Sequence, residues 1–145
     1  MPPHSYLAAL VSEMDHLRLE RLLVELSWRI DHGQAATVHE LFTEDGEMTI
    51  GPEPMVGRDA IREWGRVFDE TQPMPGLRHA VTNCRFAAEG PDRATGTSIL
   101  VSYLVTGDGA VQTIPFAVGE DQDSYVRTTD GWRISSRRWV SLFAR

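Results

Sequence analysis

The feature that most constrains this chain is a change of hydrophobic period at one loop, Pro73-Met74-Pro75-Gly76. Before that loop apolar residues recur at helical spacing; after it they alternate as strands do. From about Asp15 to His32, Leu19, Leu22, Leu23, Leu26 and Ile30 share one helical face, and Gly33 follows where a C-terminal glycine belongs. Thr37 to Phe42 reads as a second, short helix ended by Glu44-Asp45-Gly46, and Glu47 to Ile50 as a short strand closed by Gly51-Pro52. Gly57-Arg58-Asp59 opens a third helix, about Asp59 to Asp69, with Ile61, Trp64, Val67 and Phe68 on one side. Beyond the loop the expected strands are Leu77 to Ala88, Arg93 to Thr106, Ala110 to Val118, Asp123 to Thr128 and Trp132 to Phe143. Glu89-Gly90-Pro91-Asp92, Gly107-Asp108-Gly109 and Asp130-Gly131 supply turns between them. Helices first and a strand meander afterwards predict an α+β fold, with the N-terminal helices on one face of an antiparallel sheet.

Strict alternation fails in places, as in Leu77 to Ala88. His79, Val81 and Asn83 share a face, yet Phe86 falls on the other. A bulge near Asn83 or Cys84 restores the pattern and curves the sheet. A curved sheet covered by helices makes a cone with an internal cavity at one end, the place to expect a ligand. The 145 residues are expected to form one domain, with a flexible tail at about residues 1–12. The formal charge of −7 argues against nucleic acid as a partner. No apolar run approaches the roughly 20 residues that span a bilayer, and Met1-Pro2-Pro3-His4 lacks the regions of a signal peptide. The expectation is a cytoplasmic protein with no membrane partner.

Chemistry-bearing residues are few. No phosphate-binding glycine loop and no Gly-x-Ser-x-Gly elbow is present. His4, His16, His32, His39 and His79 form no metal-binding spacing, and the single cysteine, Cys84, sits in an alternating segment as a buried structural thiol. No metal and no cofactor is expected. His16, His32 and His39 fall at helix ends or polar positions, where an imidazole is solvated. His79 differs, because alternation with Leu77 and Val81 turns it toward the apolar face, where a ring nitrogen needs a partner. It is a satisfied core histidine or a catalyst. Asp31 ends the first helix, a placement that opposes the helix dipole. It is part of a solvated Asp-His-Gly turn, or an acid tolerated because it pairs with a buried imidazole. A carboxylate bonded to one ring nitrogen fixes the tautomer and frees the other nitrogen for proton transfer.

Several segments in order carry a resemblance. Trp28-Arg29-Ile30-Asp31, Leu41-Phe42-Thr43-Glu44-Asp45-Gly46 and Gly57-Arg58-Asp59-Ala60-Ile61 come first. Arg78-His79-Ala80-Val81-Thr82-Asn83 and Asp130-Gly131-Trp132-Arg133-Ile134-Ser135-Ser136-Arg137 follow. From about Glu13 to Phe143 the chain resembles the SnoaL-like group of the nuclear transport factor 2-like superfamily, whose fold is a cone-shaped α+β domain. The aspartate and histidine resemble those of scytalone dehydratase, the bile-acid 7α-dehydratases and the hexachlorocyclohexane dehydrochlorinases. That resemblance implies His79 as general base and Asp31 as the residue that orients it. It also implies a homodimer or higher homo-oligomer.

The pattern departs from those enzymes in two places. Their tyrosine beside or one turn before the aspartate is replaced here by Ile30 and Leu26, and the second histidine of scytalone dehydratase has no counterpart between Thr95 and Tyr103. Tyr103, Tyr125, Ser98 or Arg137 are the candidate substitutes for the acid. Arg137 points to solvent beside Arg133 and Arg138, or inward toward an acidic partner or an anionic substrate group. Asn83 binds substrate or pins the bulge. Trp28, Phe42, Trp64 and Phe68 are core aromatics that could wall the cavity and suit a small hydrophobic ring compound. The expected function is a cofactor-independent lyase or isomerase of the dehydratase or cyclase type. The competing expectation is a non-catalytic ligand-binding or assembly domain, with Trp139, Val140, Leu142 and Phe143 on the pairing face. An epoxide hydrolase of the limonene type would need an Asp-Arg-Asp arrangement that no landmark matches.

Overall fold

A serine starts the first helix of the fold. Ser12 accepts a hydrogen bond from the Asp15 amide through its side-chain oxygen (3.1 Å) and so caps helix α1, Glu13–Asp31. Leu19, Leu22, Leu23 and Leu26 on one face of α1 are buried. Each contributes about 1.5–3 kcal/mol of hydrophobic stabilisation. The computed structural model describes residues 9–104 and 115–144. A 3-10 helix, Ala35–Leu41, follows α1, then strands β1 (Phe42–Thr49) and β2 (Met55–Val56) and helix α2 (Arg58–Thr71). The Asp69 carboxylate of α2 accepts the backbone N–H groups of Ala35 and Ala36 (2.9 Å each), so the 3-10 helix starts on an acid supplied by its neighbour. The two helices approach at Gly65, where a Cβ would lie 2.1 Å from the Ala35 carbonyl oxygen.

The four long strands are β3 (Arg78–Ala88), β4 (Arg93–Tyr103), β5 (Ala117–Thr128) and β6 (Gly131–Ala144). The six strands form one sheet in the order β2-β1-β6-β5-β4-β3. Its pairs are antiparallel except β1 with β6, which run parallel, so the sheet is mixed where an antiparallel one was expected. The expected strand Asp123 to Thr128 is continuous with Ala117 and Val118, the end of the expected strand Ala110 to Val118, in the single strand β5. Residues 110–114 of that earlier strand, with Val105 and Thr106 of the strand before it, lie outside the described residues. The expected bulge is present. Register shifts between Thr82 and Arg85, and Asn83 takes φ +53°. Shifts in β5 and β6 add curvature.

The helices cover one face of this cone-shaped α+β fold. The core gathers α1 leucines with Val38, Phe42, Met48, Ile61, Phe86, Tyr125 and Ile134. Asp15 fastens the start of α1 to the sheet beside the β5–β6 turn. Its carboxylate accepts both Arg127 Nη atoms (3.1 and 2.7 Å) and Trp132 Nε1 (3.0 Å), while the Arg127 guanidinium lies 4.4 Å from the centre of a Trp132 ring. Of the segment expected to be a flexible tail, residues 1–8 lie outside the described residues. Residues 9–11 are held against β3 by Ala88 N to Ala9 O (2.7 Å) and Val11 N to Phe86 O (3.2 Å). Those edge groups of β3 find partners in the N-terminal segment, which is why it does not run free. Among the described residues, no helix is long and apolar enough to cross a membrane.

Candidate active site

The last residue of α1 and the second residue of β3 meet. Asp31 Oδ1 lies 2.6 Å from His79 Nδ1, and Asp31 Oδ2 accepts the His79 backbone N–H at 2.7 Å. Both carboxylate oxygens are therefore committed to one residue. The side chains are 5% and 12% exposed, respectively. Arg78 Nη1 donates to the Asp31 carbonyl oxygen at 3.0 Å, placing a cation at the helix terminus where the carboxylate opposes the dipole. A carboxylate can only accept, so Nδ1 carries the proton and, in the neutral ring, Nε2 holds the free lone pair. Nε2 has no hydrogen-bond partner among the described residues, and the ring lines a cavity.

A second polar cluster stands in the same interior. Arg137 on β6 is buried and donates through Nη2 to Asp121 Oδ2 and through Nη1 to Asp123 Oδ2 (2.8 Å). Tyr125 OH donates to the same Asp123 oxygen at 2.9 Å. Burial pushes the Asp121 carboxyl up to about 6, against the pull of Arg137, with Asp123 adding to the rise and His79 opposing it. Burial likewise raises Asp123, and it raises Tyr125 well above the usual phenol range with Asp123 adding to the effect. For Arg137, burial pulls downward, but the charges of Asp123 and Asp121 outweigh it and hold the guanidinium charged. Asp121 and Arg137 line the cavity that holds His79. Ser98 Oγ and Asp123 Oδ1 are buried without a partner among the described residues.

The cavity measures about 420 Å³, within the usual range of ligand pockets. Leu26, Ile30, Trp64, Phe68, Leu100 and Trp139 are among the apolar side chains of its wall, with His79, Ser102, Asp121 and Arg137 as polar counterparts. The arrangement offers a base held in one tautomer, a buried acid and a buried guanidinium around an apolar space. Such a set can move a proton to or from carbon and meet the charge that develops.

The family model described as SnoaL-like domain matches residues 14–138. This chain belongs to the SnoaL-like family. That family includes polyketide cyclases and scytalone-dehydratase-like enzymes. Among solved structures, a protein of unknown function from Mycobacterium tuberculosis is similar at 28% identity and TM-score 0.77, covering 90% of this chain and 77% of its own. A candidate scytalone dehydratase from Novosphingobium aromaticivorans is similar at 18% identity and TM-score 0.77, covering 91% and 87%. A nuclear transport factor 2-like protein with a cystatin-like fold from the same organism reaches 25% identity and TM-score 0.74, covering 89% and 82%. No curated protein matches.

Within this SnoaL-like domain the sequence-predicted residues separate clearly. Asp31 and His79 meet, Arg137 points inward, and Trp64 and Phe68 wall the cavity. Trp28 does not: it is 46% exposed and stacks on His32 with ring centroids 4.2 Å apart. It shares the solvent face of α1 with Val24 rather than the leucine stripe. Phe42 is wholly buried in the core, away from the cavity. Asn83 pins the bulge, accepting from Thr82 Oγ1 at 2.9 Å, and is exposed. Tyr103 is 41% exposed and Tyr125 is sealed beneath the cavity, so neither lines it. Trp139, assigned from sequence to a pairing face, lines the cavity instead. Cys84 is only half-buried, and burial pushes its thiol up to about 11, which keeps it protonated. Asp121 and Asp123 were missed. Their one signal is parity, since they alternate with Ala117 and Tyr125, which are buried.

Proposed function

We propose that this SnoaL-like domain is a cofactor-independent lyase or isomerase, of dehydratase or cyclase type, acting on a small hydrophobic ring compound. The observation that carries the reading is the 2.6 Å contact of His79 Nδ1 with Asp31 beside a cavity that the same ring lines. His79 Nε2 removes a proton from a carbon next to a carbonyl, and Asp31 holds the ring in the required tautomer. Asp121 takes the place of the absent tyrosine as proton donor, since an acid lifted to about 6 is partly protonated near neutral pH. Arg137 contributes positive charge where the enolate-like oxygen develops. Assembly into a homo-oligomer belongs to the same proposal, with Leu142 and Phe143 among the exposed apolar side chains available for it.

The test uses a ring ketone, 2-tetralone, in deuterated water. A base that abstracts the α-proton and returns a deuteron accelerates exchange without completing an elimination, and proton NMR reads the loss of the α signal. The wild-type protein should accelerate exchange, and His79→Ala and Asp31→Asn should lose that acceleration. Unchanged exchange in His79→Ala, or none with the wild type, overturns the assignment.

The Asp121–Arg137–Asp123 contacts favour a second reading, hydrolysis by a water activated between two acids flanking an arginine. Against it, Asp121 lines the cavity while the Asp123 side chain is 0% exposed and lies behind Arg137. Incorporation of labelled solvent oxygen into cyclohexene oxide by His79→Ala would favour hydrolysis.

A further inference from the structure

We propose that Asp121 makes this cavity select an uncharged ligand, admitting a ring compound with a carbonyl or hydroxyl group and excluding its carboxylate counterpart. The inference rests on the reading of the cavity as the substrate site and adds the charge class of what enters it.

An arginine in the wall of an apolar cavity ordinarily suggests an anchor for an anion. Here both terminal nitrogens already bond a carboxylate. Nη2 bonds Asp121 and Nη1 bonds Asp123, and the guanidinium side chain is 5% exposed. Two carboxylates face one cation, so with Asp121 and Asp123 both ionised the cluster carries one net negative charge. Asp31 adds another on the His79 side, with its oxygens facing His79. The remaining wall is mostly apolar, and Leu26, Ile30, Phe68 and Leu100 offer nothing to a carboxylate. An incoming carboxylate must share Arg137, whose charge two carboxylates already offset, or stand unpaired beside it. Either choice strips hydration and returns less than it removes. A carbonyl or hydroxyl needs only a hydrogen bond, and Asp121, Ser102 and His79 supply acceptors or donors in the same wall. A cation would be attracted by the net charge, yet it would meet Arg137 and lose its water in an apolar space. The proposal therefore commits to an uncharged ligand rather than merely to a non-anionic one.

The experiment compares ligands of one shape. 2-Naphthol, 2-naphthoate, methyl 2-naphthoate and 2-naphthylmethylamine are titrated into the wild-type protein at about pH 8 and followed by calorimetry. The naphthol and the ester should bind, with the naphthoate at least ~10-fold weaker and the protonated amine weaker than the naphthol. In a folded Asp121→Asn protein, one negative charge fewer should narrow the gap between naphthoate and naphthol. Equal or tighter naphthoate binding overturns the proposal, as does exclusion of the ester, which would make size the discriminator. Tighter amine binding, or no binding of the naphthol, overturns it equally. If Asp121→Asn does not fold, the four wild-type affinities decide alone. An unchanged gap in a folded Asp121→Asn places the selectivity elsewhere and defeats the assignment to Asp121. These affinities do not depend on proton abstraction, and the ketone exchange does not depend on charge selection, so the two readings fail separately.

Discussion

Removing the Asp31 side chain should cost more stability than removing the larger His79 ring. Asp31 serves two donors of one residue, the His79 backbone N–H at 2.7 Å and Nδ1 at 2.6 Å, from a carboxylate only 5% exposed. Hydrogen bonds to a charged partner contribute about 1.5–3 kcal/mol each. Asp31→Ala therefore loses about 3–6 kcal/mol, less about 0.3–1 kcal/mol regained when a carboxylate leaves a helix C-terminus. His79→Ala loses only the ring bond, about 1.5–3 kcal/mol, because the backbone N–H stays on Asp31 and the ring already borders a cavity. The expected excess is about 0.5–2.7 kcal/mol. Urea unfolding of both single variants and the double variant, followed by tryptophan fluorescence, reads it. The double-mutant cycle should return a coupling of about 1.5–3 kcal/mol, the contribution of the ring bond. A coupling under about 0.5 kcal/mol, or an Asp31→Ala protein no less stable than His79→Ala, would refute the claim that this bond holds α1 to β3.

Two further outcomes follow from other contacts. The Asp15 carboxyl is held down to about 2, from a model-compound 3.8, chiefly by the Arg127 side chain, with Trp132 helping. Because the folded-state value is depressed, the stabilisation is complete above about pH 4 and is lost as pH falls from about 4 to about 2. With water reaching part of the pair, its size is about 1–2 kcal/mol, and acid unfolding of Arg127→Met should lack that segment of the curve. Gly65→Ala gains helix propensity of about 1 kcal/mol but drives a methyl to 2.1 Å from a backbone oxygen. The net result should be a protein about 1–3 kcal/mol less stable, and an increase in melting temperature would refute the close contact.

Local patterns were enough for half of the site. Asp31 is placed by the end of a leucine stripe and His79 by alternation beside Leu77, and each position needs only its own segment. Trp64 and Phe68 follow from the face of α2 that carries Ile61. Trp28 misled because its aromatic identity outweighed its angular position, which is that of exposed Val24. The acidic cluster was illegible for a different reason. Glu120-Asp121-Gln122-Asp123 is a polar run that looks like a break between strands, so Asp121 fell outside both expected elements. Arg137 was ambiguous because counting by twos from Trp132 and Ile134 turns it outward. The register shift opposite Ser124 and Tyr125 reverses that parity and brings it in. A bulge is a tertiary event with a weak local signature.

The two halves of the site also differ in what they cost the fold. The Asp31–His79 contact ties a helix terminus to a strand and stabilises the junction it occupies. The Asp121–Arg137–Asp123 cluster does not repay its burial in the same way. Two carboxylates share one guanidinium, and burial lifts both acids. Replacing such a cluster with apolar residues of similar volume is commonly neutral or stabilising. An apolar core at these positions would also close the polar end of the cavity and leave His79 facing hydrocarbon. Asp121 borders the same space as the His79 ring, where a base without an opposing acid could remove a proton but not help a leaving group depart. The stability given up at β5 and β6 therefore sits where the proposed chemistry needs Asp121 as a second proton-transfer group, and Asp123, itself bonded by Tyr125, holds Arg137 beside that acid.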